Sequence, residues 1–205
     1  MAMSGGGSAS VIDVYERHGA AWAAARSAGL VEAAWLARFC ALMDRNGAVL
    51  DIGCGAGVPL ARELLRRGFE VTGVDAAATM VALFSQNLPG TRVHLADMRA
   101  LALGARFDGL LAWDSLFHLP GEAQRPMFAR LAAHARPGAA LMFSSGPAEG
   151  SAMGVLEGEP LYHGSLGAAE YRALLDRAGF DVVDHVVEDP ACGGRTVWLA
   201  RQRGG

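Results

Sequence analysis

Three glycines at alternate positions, Gly53, Gly55 and Gly57, follow the apolar pair Val49-Leu50 and the acid Asp51. Glycine at this spacing lets backbone approach a ligand closely where a strand turns into a helix. A tight turn with no ligand is the alternative, and the register of three glycines with Asp51 before them and Asp75 after them weighs against it. A dinucleotide loop, G-x-G-x-x-G, starting from Gly53 needs glycine at position 58, where the chain has Val58. Charge narrows the ligand further. A pyrophosphate beside Asp51 would be repelled, whereas a cationic group would be attracted.

Such a loop works only on a scaffold that aims it. Four short apolar runs, Ala48 to Ile52, Glu70 to Val74, Arg92 to Ala96 and Phe107 to Trp113, end in small or acidic residues and read as buried strands. Between the first two, Pro59 to Arg67 places Leu60, Ala61, Leu64 and Leu65 on one helical face, and Gly68 supplies the stop. Met80 to Phe84 and Met127 to Ala132 repeat the amphipathic pattern. Upstream, Val11 to Arg26 and Val31 to Asp44 read as helices, so residues 11–46 form an N-terminal helical unit. Downstream, Arg136-Pro137-Gly138 turns into a fifth strand, Ala139 to Ser144. Residues 146–167 are rich in Gly, Ser and Pro and read as a substrate loop. Ala168 to Ala178 is a helix, and Phe180 to Val187 with Arg195 to Ala200 reads as an antiparallel pair. The expected fold is α/β, a doubly wound seven-stranded sheet, mostly parallel with an antiparallel last strand. Its ligand crevice opens at the C-terminal strand ends. Residues 1–10 read as a flexible tail and 11–205 as a single domain.

Composition excludes several classes. Hydrophobic residues make up 52% of the 205 and charged residues 19%, with a formal net charge of -3, as in a compact globular protein. The eighteen basic residues are all arginine, which removes Schiff-base and Walker-lysine chemistry. They are also scattered, which disfavours a nucleic-acid partner. Cys40, Cys54 and Cys192 match neither a disulfide framework nor zinc spacing, so a reducing cytoplasm is expected. The N-terminus has no signal-peptide pattern, and no apolar run approaches the roughly twenty residues that span a bilayer.

The run Asp51-Ile52-Gly53-Cys54-Gly55-Ala56-Gly57 resembles motif I of class I S-adenosylmethionine-dependent methyltransferases, and the resemblance extends from Val49 to Ala200. It implies a Rossmann-like methyltransferase fold with S-adenosyl-L-methionine as cofactor. It implies loop contacts from Asp51, Gly53, Cys54, Gly55 and Gly57. After the second strand, Asp75 would accept from the ribose hydroxyls, with Ala76 and Met80 beside it. Asp97 and Met98 would clamp adenine, and Trp113 would border the transferring methyl. Arg26 or Arg17 would hold the methionine carboxylate. The residues leave other roles open: Asp97 can cap a helix, Trp113 can fill core, and either arginine can be solvated.

Methyl transfer is a direct displacement, so alignment is the main task and a base is optional. Candidate catalytic or substrate-binding residues are Asp114 and His118 after the fourth strand, and Tyr162 and His163 in the expected loop. His118 can equally order its loop, and Tyr162-His163 can belong to a solvated turn. Ala112-Trp113-Asp114-Ser115 lacks the Pro-Pro and Pro-Cys signatures of the family's nucleic-acid branches, so a small-molecule acceptor is expected, without metal, nucleic acid or membrane, in a monomer or homodimer. Two other readings stay open. One is a non-catalytic S-adenosylmethionine-binding sensor or subunit, and the other is a nicotinamide-dependent oxidoreductase.

Overall fold

The computed structural model of the chain describes residues 6–26 and 29–204. Its helices are α1 (Gly6–Arg26), α2 (Ala33–Ala41), α3 (Leu60–Arg66), α4 (Ala78–Asn87), α5 (Gly121–Gln124), α6 (Met127–His134) and α7 (Ala168–Arg177). Its strands are β1 (Ala48–Ile52), β2 (Glu70–Asp75), β3 (Arg92–Leu95), β4 (Phe107–Ala112), β5 (Ala135–Ser145), β6 (Gly150–Leu156), β7 (Glu159–Ser165), β8 (Phe180–Asp189) and β9 (Arg195–Gln202).

Period-two alternation in the central strands builds the core. Leu50, Ile52, Leu110, Ala112, Leu141 and Phe143 join one buried cluster, while Val49, Leu111, Ala140 and Met142 join another on the opposite face. Helices α6 and α7 cover the first face through Phe128, Leu131, Tyr171 and Leu175. Helices α2, α3 and α4 cover the second through Leu36, Phe39, Leu64 and Phe84. The result is a three-layer α/β fold.

Seven strands form one sheet in the order β3-β2-β1-β4-β5-β9-β8. The pairings among β1 to β5 are parallel, and β9 runs antiparallel to both β5 and β8. The expected doubly wound sheet with an antiparallel last strand is therefore present. The order reverses between β1 and β4, which opens a crevice at their C-terminal ends.

Three local expectations need correction. Residues 146–167 are not a loop: β6 and β7 pair antiparallel across a two-residue turn, with Glu157 at φ 49° and Gly158 at φ 83°. Positive φ at both turn positions matches the twist of the flanking strands and closes the hairpin tightly. The expected turn at Arg136-Pro137-Gly138 lies inside β5, because Ala135 already pairs with Phe107 and a register shift absorbs the irregularity. Helix α1 starts at Gly6, so residues 6–10 continue the helix and are not a tail; residues 1–5 lie outside the described residues.

Candidate active site

Strand β1 ends at Ile52 and the chain turns at once. Gly53 sits at φ 72° and Gly57 at φ 76°, a region that side chains with a Cβ rarely enter. A Cβ on Gly53 would lie 2.3 Å from the Ser115 Cβ, and the Ser115 hydroxyl donates to the Ile52 carbonyl at 2.7 Å. The loop after β4 therefore rests directly on the glycine loop. The N–H groups of Gly53 and Cys54 both donate to the Val74 carbonyl, at 2.8 and 3.0 Å, which ties the loop to β2. Asp75, at the end of β2, is aimed by two backbone donors, Gly55 N–H and Ala77 N–H, each at 2.9 Å.

Between these strand ends and α1 lies a cavity of about 750 Å³, open mouth included. Gly53, Gly55, Asp75, Ala76, Met80, Asp97, Met98 and Trp113 line it. A narrow recess behind the loop adds Asp51, Cys54, Gly57 and Arg26. An outer cleft of about 1500 Å³ including its mouth is walled in part by the β6–β7 hairpin, with His163 on its surface. The cavity and cleft meet at Tyr15, Trp22, Asp114 and His118.

The acids around the cavity differ in state. Asp51 is 3% exposed, and burial, reinforced by the charge of Asp75, pushes its carboxyl up to about 7. Asp75 is also raised by burial, partly opposed by the backbone N–H groups that favour its charged form. Asp97 is held below the usual carboxylate range by the Arg99 side chain, whose Nε lies 3.0 and 2.9 Å from its two oxygens. Asp97 also accepts from the Arg99 backbone N–H at 2.8 Å, so it caps a short turn and lines the cavity at once. Trp113 likewise has two roles: it is buried among core residues and forms cavity wall, with its Nε1 donating to Glu32 at 3.1 Å.

The two arginines expected to meet a ligand carboxylate already have partners. Arg26 pairs with the fully buried Glu32, and Arg17 bonds Glu159 on the hairpin at 2.9 Å. Asp114, in the left-handed region at φ 47°, is gripped by Arg195 from β9: Nε lies 3.0 and 2.9 Å from its oxygens. Its backbone N–H donates to Ser144 Oγ at 2.8 Å. So held, Asp114 is a fixed negative group at the junction of cavity and cleft.

His118 is buried at the same junction, 3.0 Å from the Tyr162 carbonyl through Nδ1 and 3.1 Å from the Tyr15 hydroxyl through Nε2. Burial lowers its pKa to about 4. His163 packs against Phe117 and His118, with ring centroids 5.0 and 5.1 Å away, and burial lowers its pKa as well. Tyr162 departs from expectation. Its ring packs beside Val11, Val14 and Leu161, and its carbonyl meets His118.

Sequence reasoning gave no chemical role to Tyr15, Glu16, Glu32 or Arg195. Tyr15 had a signal: Val11, Val14, Tyr15 and Trp22 fall on one helical face, so a hydroxyl stands among apolar neighbours. The others gain their partners only through the fold.

A doubly wound sheet of this order, with acids at the ends of β2 and β3 facing a glycine loop, is the Rossmann-like methyltransferase fold. Residues 49–138 match a family described as a methyltransferase domain. Among curated relatives, the dTDP-3-amino-3,6-dideoxy-alpha-D-glucopyranose N,N-dimethyltransferase of Streptomyces fradiae is 34% identical over 95 residues, 45% of this chain and 37% of that protein. The chain spans about two fifths of the length of the curated relatives it matches. Among solved structures, an amino pentose methyltransferase from Micromonospora echinaspora with bound cofactor superposes with a TM-score of 0.72 at 22% identity, covering 89% of this chain and 96% of that one. The 1,6-didemethyltoxoflavin-N1-methyltransferase of Burkholderia thailandensis gives 0.72 at 24% identity, covering 96% and 87%. At these identities the structural likeness is one of fold.

Proposed function

We propose that the chain is an S-adenosylmethionine-dependent methyltransferase with a small-molecule acceptor. The observation that carries this reading is the acid-lined cavity at the glycine loop, joined at Tyr15, Asp114 and His118 to a second cleft. A buried and a half-buried carboxyl, both resisting ionisation, favour a ligand bearing positive charge, and a dinucleotide pyrophosphate would add negative charge beside them. In this reading Asp51 faces the cationic amino-acid end, Asp75 takes the ribose hydroxyls, and Asp97 with the Met98 N–H takes the adenine edge. Arg26 would have to leave Glu32 to hold a carboxylate. When bound, the cofactor supplies an electrophilic methyl.

The chain's own residues supply alignment and exclusion of water. Helix α1 roofs the cavity, Ser115 fixes the glycine loop, and Arg195 holds Asp114 still. The second cleft supports transfer over mere sensing, since a sensor has no need of an acceptor site beside its ligand. The similar proteins named above act, by their names, on an amino sugar, an amino pentose and a toxoflavin precursor, which supports a small acceptor. Free Cys40, Cys54 and Cys192 support a reducing cytoplasm. No helix among the described residues is long and apolar enough to cross a membrane. We place the protein there as a monomer or homodimer.

The test is transfer of an isotope-labelled methyl from S-adenosylmethionine into the small-molecule fraction of a broad metabolite extract. Labelled product is expected. Cofactor binding with no labelled product would make the chain a sensor.

A further inference from the structure

Glu32, just before α2, is a fully buried carboxylate shared by two arginines from distant parts of the chain. Its Oε1 accepts from Arg26 and, at 3.1 Å, from Trp113 Nε1, and it lies 3.9 Å from Arg195 Nη2. Its Oε2 is buried with no hydrogen-bond partner. The two arginines serve different spaces. Arg26 lines the recess behind the glycine loop, whereas Arg195 grips Asp114 in the wall of the outer cleft. The same Nη2 that faces Glu32 lies 2.8 Å from Asp114 Oδ2. Glu32 and Asp114 therefore draw on one nitrogen.

We propose that Glu32 is a positioning residue that links the two spaces: when a cofactor carboxylate takes Arg26, Glu32 takes Arg195 Nη2 in its place and leaves Asp114 with a free oxygen at the outer cleft. This rests on the methyltransferase reading above and deepens it. A buried carboxylate that loses its ion-pair partner and cannot reach water is strongly destabilised, so it draws in the next cation. Among the described residues, Arg195 is the other cation within 4 Å of Glu32, and a shift of about 1 Å brings its Nη2 to bonding distance. The orphaned Oε2 offers a second place for it to bond. Arg195 Nε keeps its bond to Asp114 through this shift, so the acid stays in position. Relieved of Nη2, Oδ2 can accept from a hydrogen-bearing group on the methyl acceptor. The empty chain thus keeps Asp114 occupied, and the cofactor binds first. The coupling is reciprocal, so an acceptor seated on Asp114 tightens the hold on the cofactor.

Nitrogen NMR of arginine-labelled protein reads the Arg195 Nε–H group without turnover, and Arg195→Lys identifies its resonance. Saturation with S-adenosylhomocysteine is expected to move that resonance. Saturation with decarboxylated S-adenosylhomocysteine, which lacks only the carboxylate, is expected to leave it in place. A resonance that both ligands move alike, or that neither moves, overturns the proposal. Glu32→Gln keeps the side-chain shape but holds Arg26 less firmly, so it is expected to tighten S-adenosylhomocysteine binding about tenfold. Affinity for the decarboxylated ligand should not change. Unchanged or weaker S-adenosylhomocysteine binding, in a variant that keeps wild-type affinity for the decarboxylated ligand, also overturns the proposal. If the variant does not fold, the wild-type spectra still decide. Failure of the wild-type chain to bind S-adenosylhomocysteine is a separate outcome, and it removes the methyltransferase reading itself.

Discussion

Asp51 is held protonated up to about pH 7 by burial, against an ordinary value of 3.8, so the folded chain binds this proton more tightly than the unfolded chain does. The stability that follows is complete below about pH 4 and is lost as pH rises through about 7. Asp51→Asn is therefore expected to raise the Tm of the unliganded protein at about pH 8 by on the order of 5 °C. At about pH 4 the two proteins should melt together, and equal Tm at both pH values would show that Asp51 ionises freely. Asp75→Ala should weaken S-adenosylhomocysteine binding by about 2 kcal/mol, the scale of lost bonds to a charged acceptor. Unchanged affinity in calorimetry would contradict the ribose assignment. Both acids were legible in the sequence because each sits at the end of its own strand, a local signal. Tyr15 and His118 were not legible as a pair, being 103 residues apart and joined only after α1 crosses the sheet ends. The same holds for Arg195 and Asp114, 81 residues apart.

At the scale of elements, α1 is a strap fastened at three places. Glu16 accepts from the Ala78 and Thr79 backbone N–H groups, at 2.5 and 2.9 Å, and so caps α4, which has no side-chain cap of its own. Arg17 and His18 bond Glu159 on β7, at 2.9 and 2.7 Å, and Arg26 bonds Glu32. Because the capped helix carries Met80 into the cavity, loosening this strap should be felt by the ligand. Glu16→Ala is expected to cost about 1 kcal/mol of stability, the usual worth of a helix cap, and to weaken S-adenosylhomocysteine binding. Bonds from Thr79 and Ala78 keep the Glu16 carboxyl below its ordinary range. Its stabilising effect is therefore present above the unfolded carboxyl value of about 4.3 and is lost as pH falls through the lower folded value. Thermal melts of the variant at neutral and acid pH check this, and an equal deficit at both would argue against the capping role. The β6–β7 hairpin was the least legible element. Small residues at Gly150, Ser151, Ala152 and Gly154 mask its alternation, and Glu157-Gly158 is a turn only once both residues take positive φ.

At the scale of the molecule, the sheet was readable because its central strands are short apolar runs buried on both faces, as Val49, Leu50 and Ile52 show at 0% exposure. The parallel, doubly wound arrangement followed from alternation with amphipathic helices, and the antiparallel β9 from its short connection to β8, whereas the strand order emerged only in the fold. What the sequence could not supply was the relation between the two ligand spaces, since α1, the β4 loop and the hairpin come from distant parts of the chain and meet at Tyr15, Asp114 and His118. The central claim is that the inner space is built for a cation-bearing nucleoside and not for a dinucleotide. Titration calorimetry of the unliganded chain with S-adenosylhomocysteine and with NADH tests it most directly. Saturable binding of S-adenosylhomocysteine and none of NADH is the predicted result; binding of NADH alone would contradict the account.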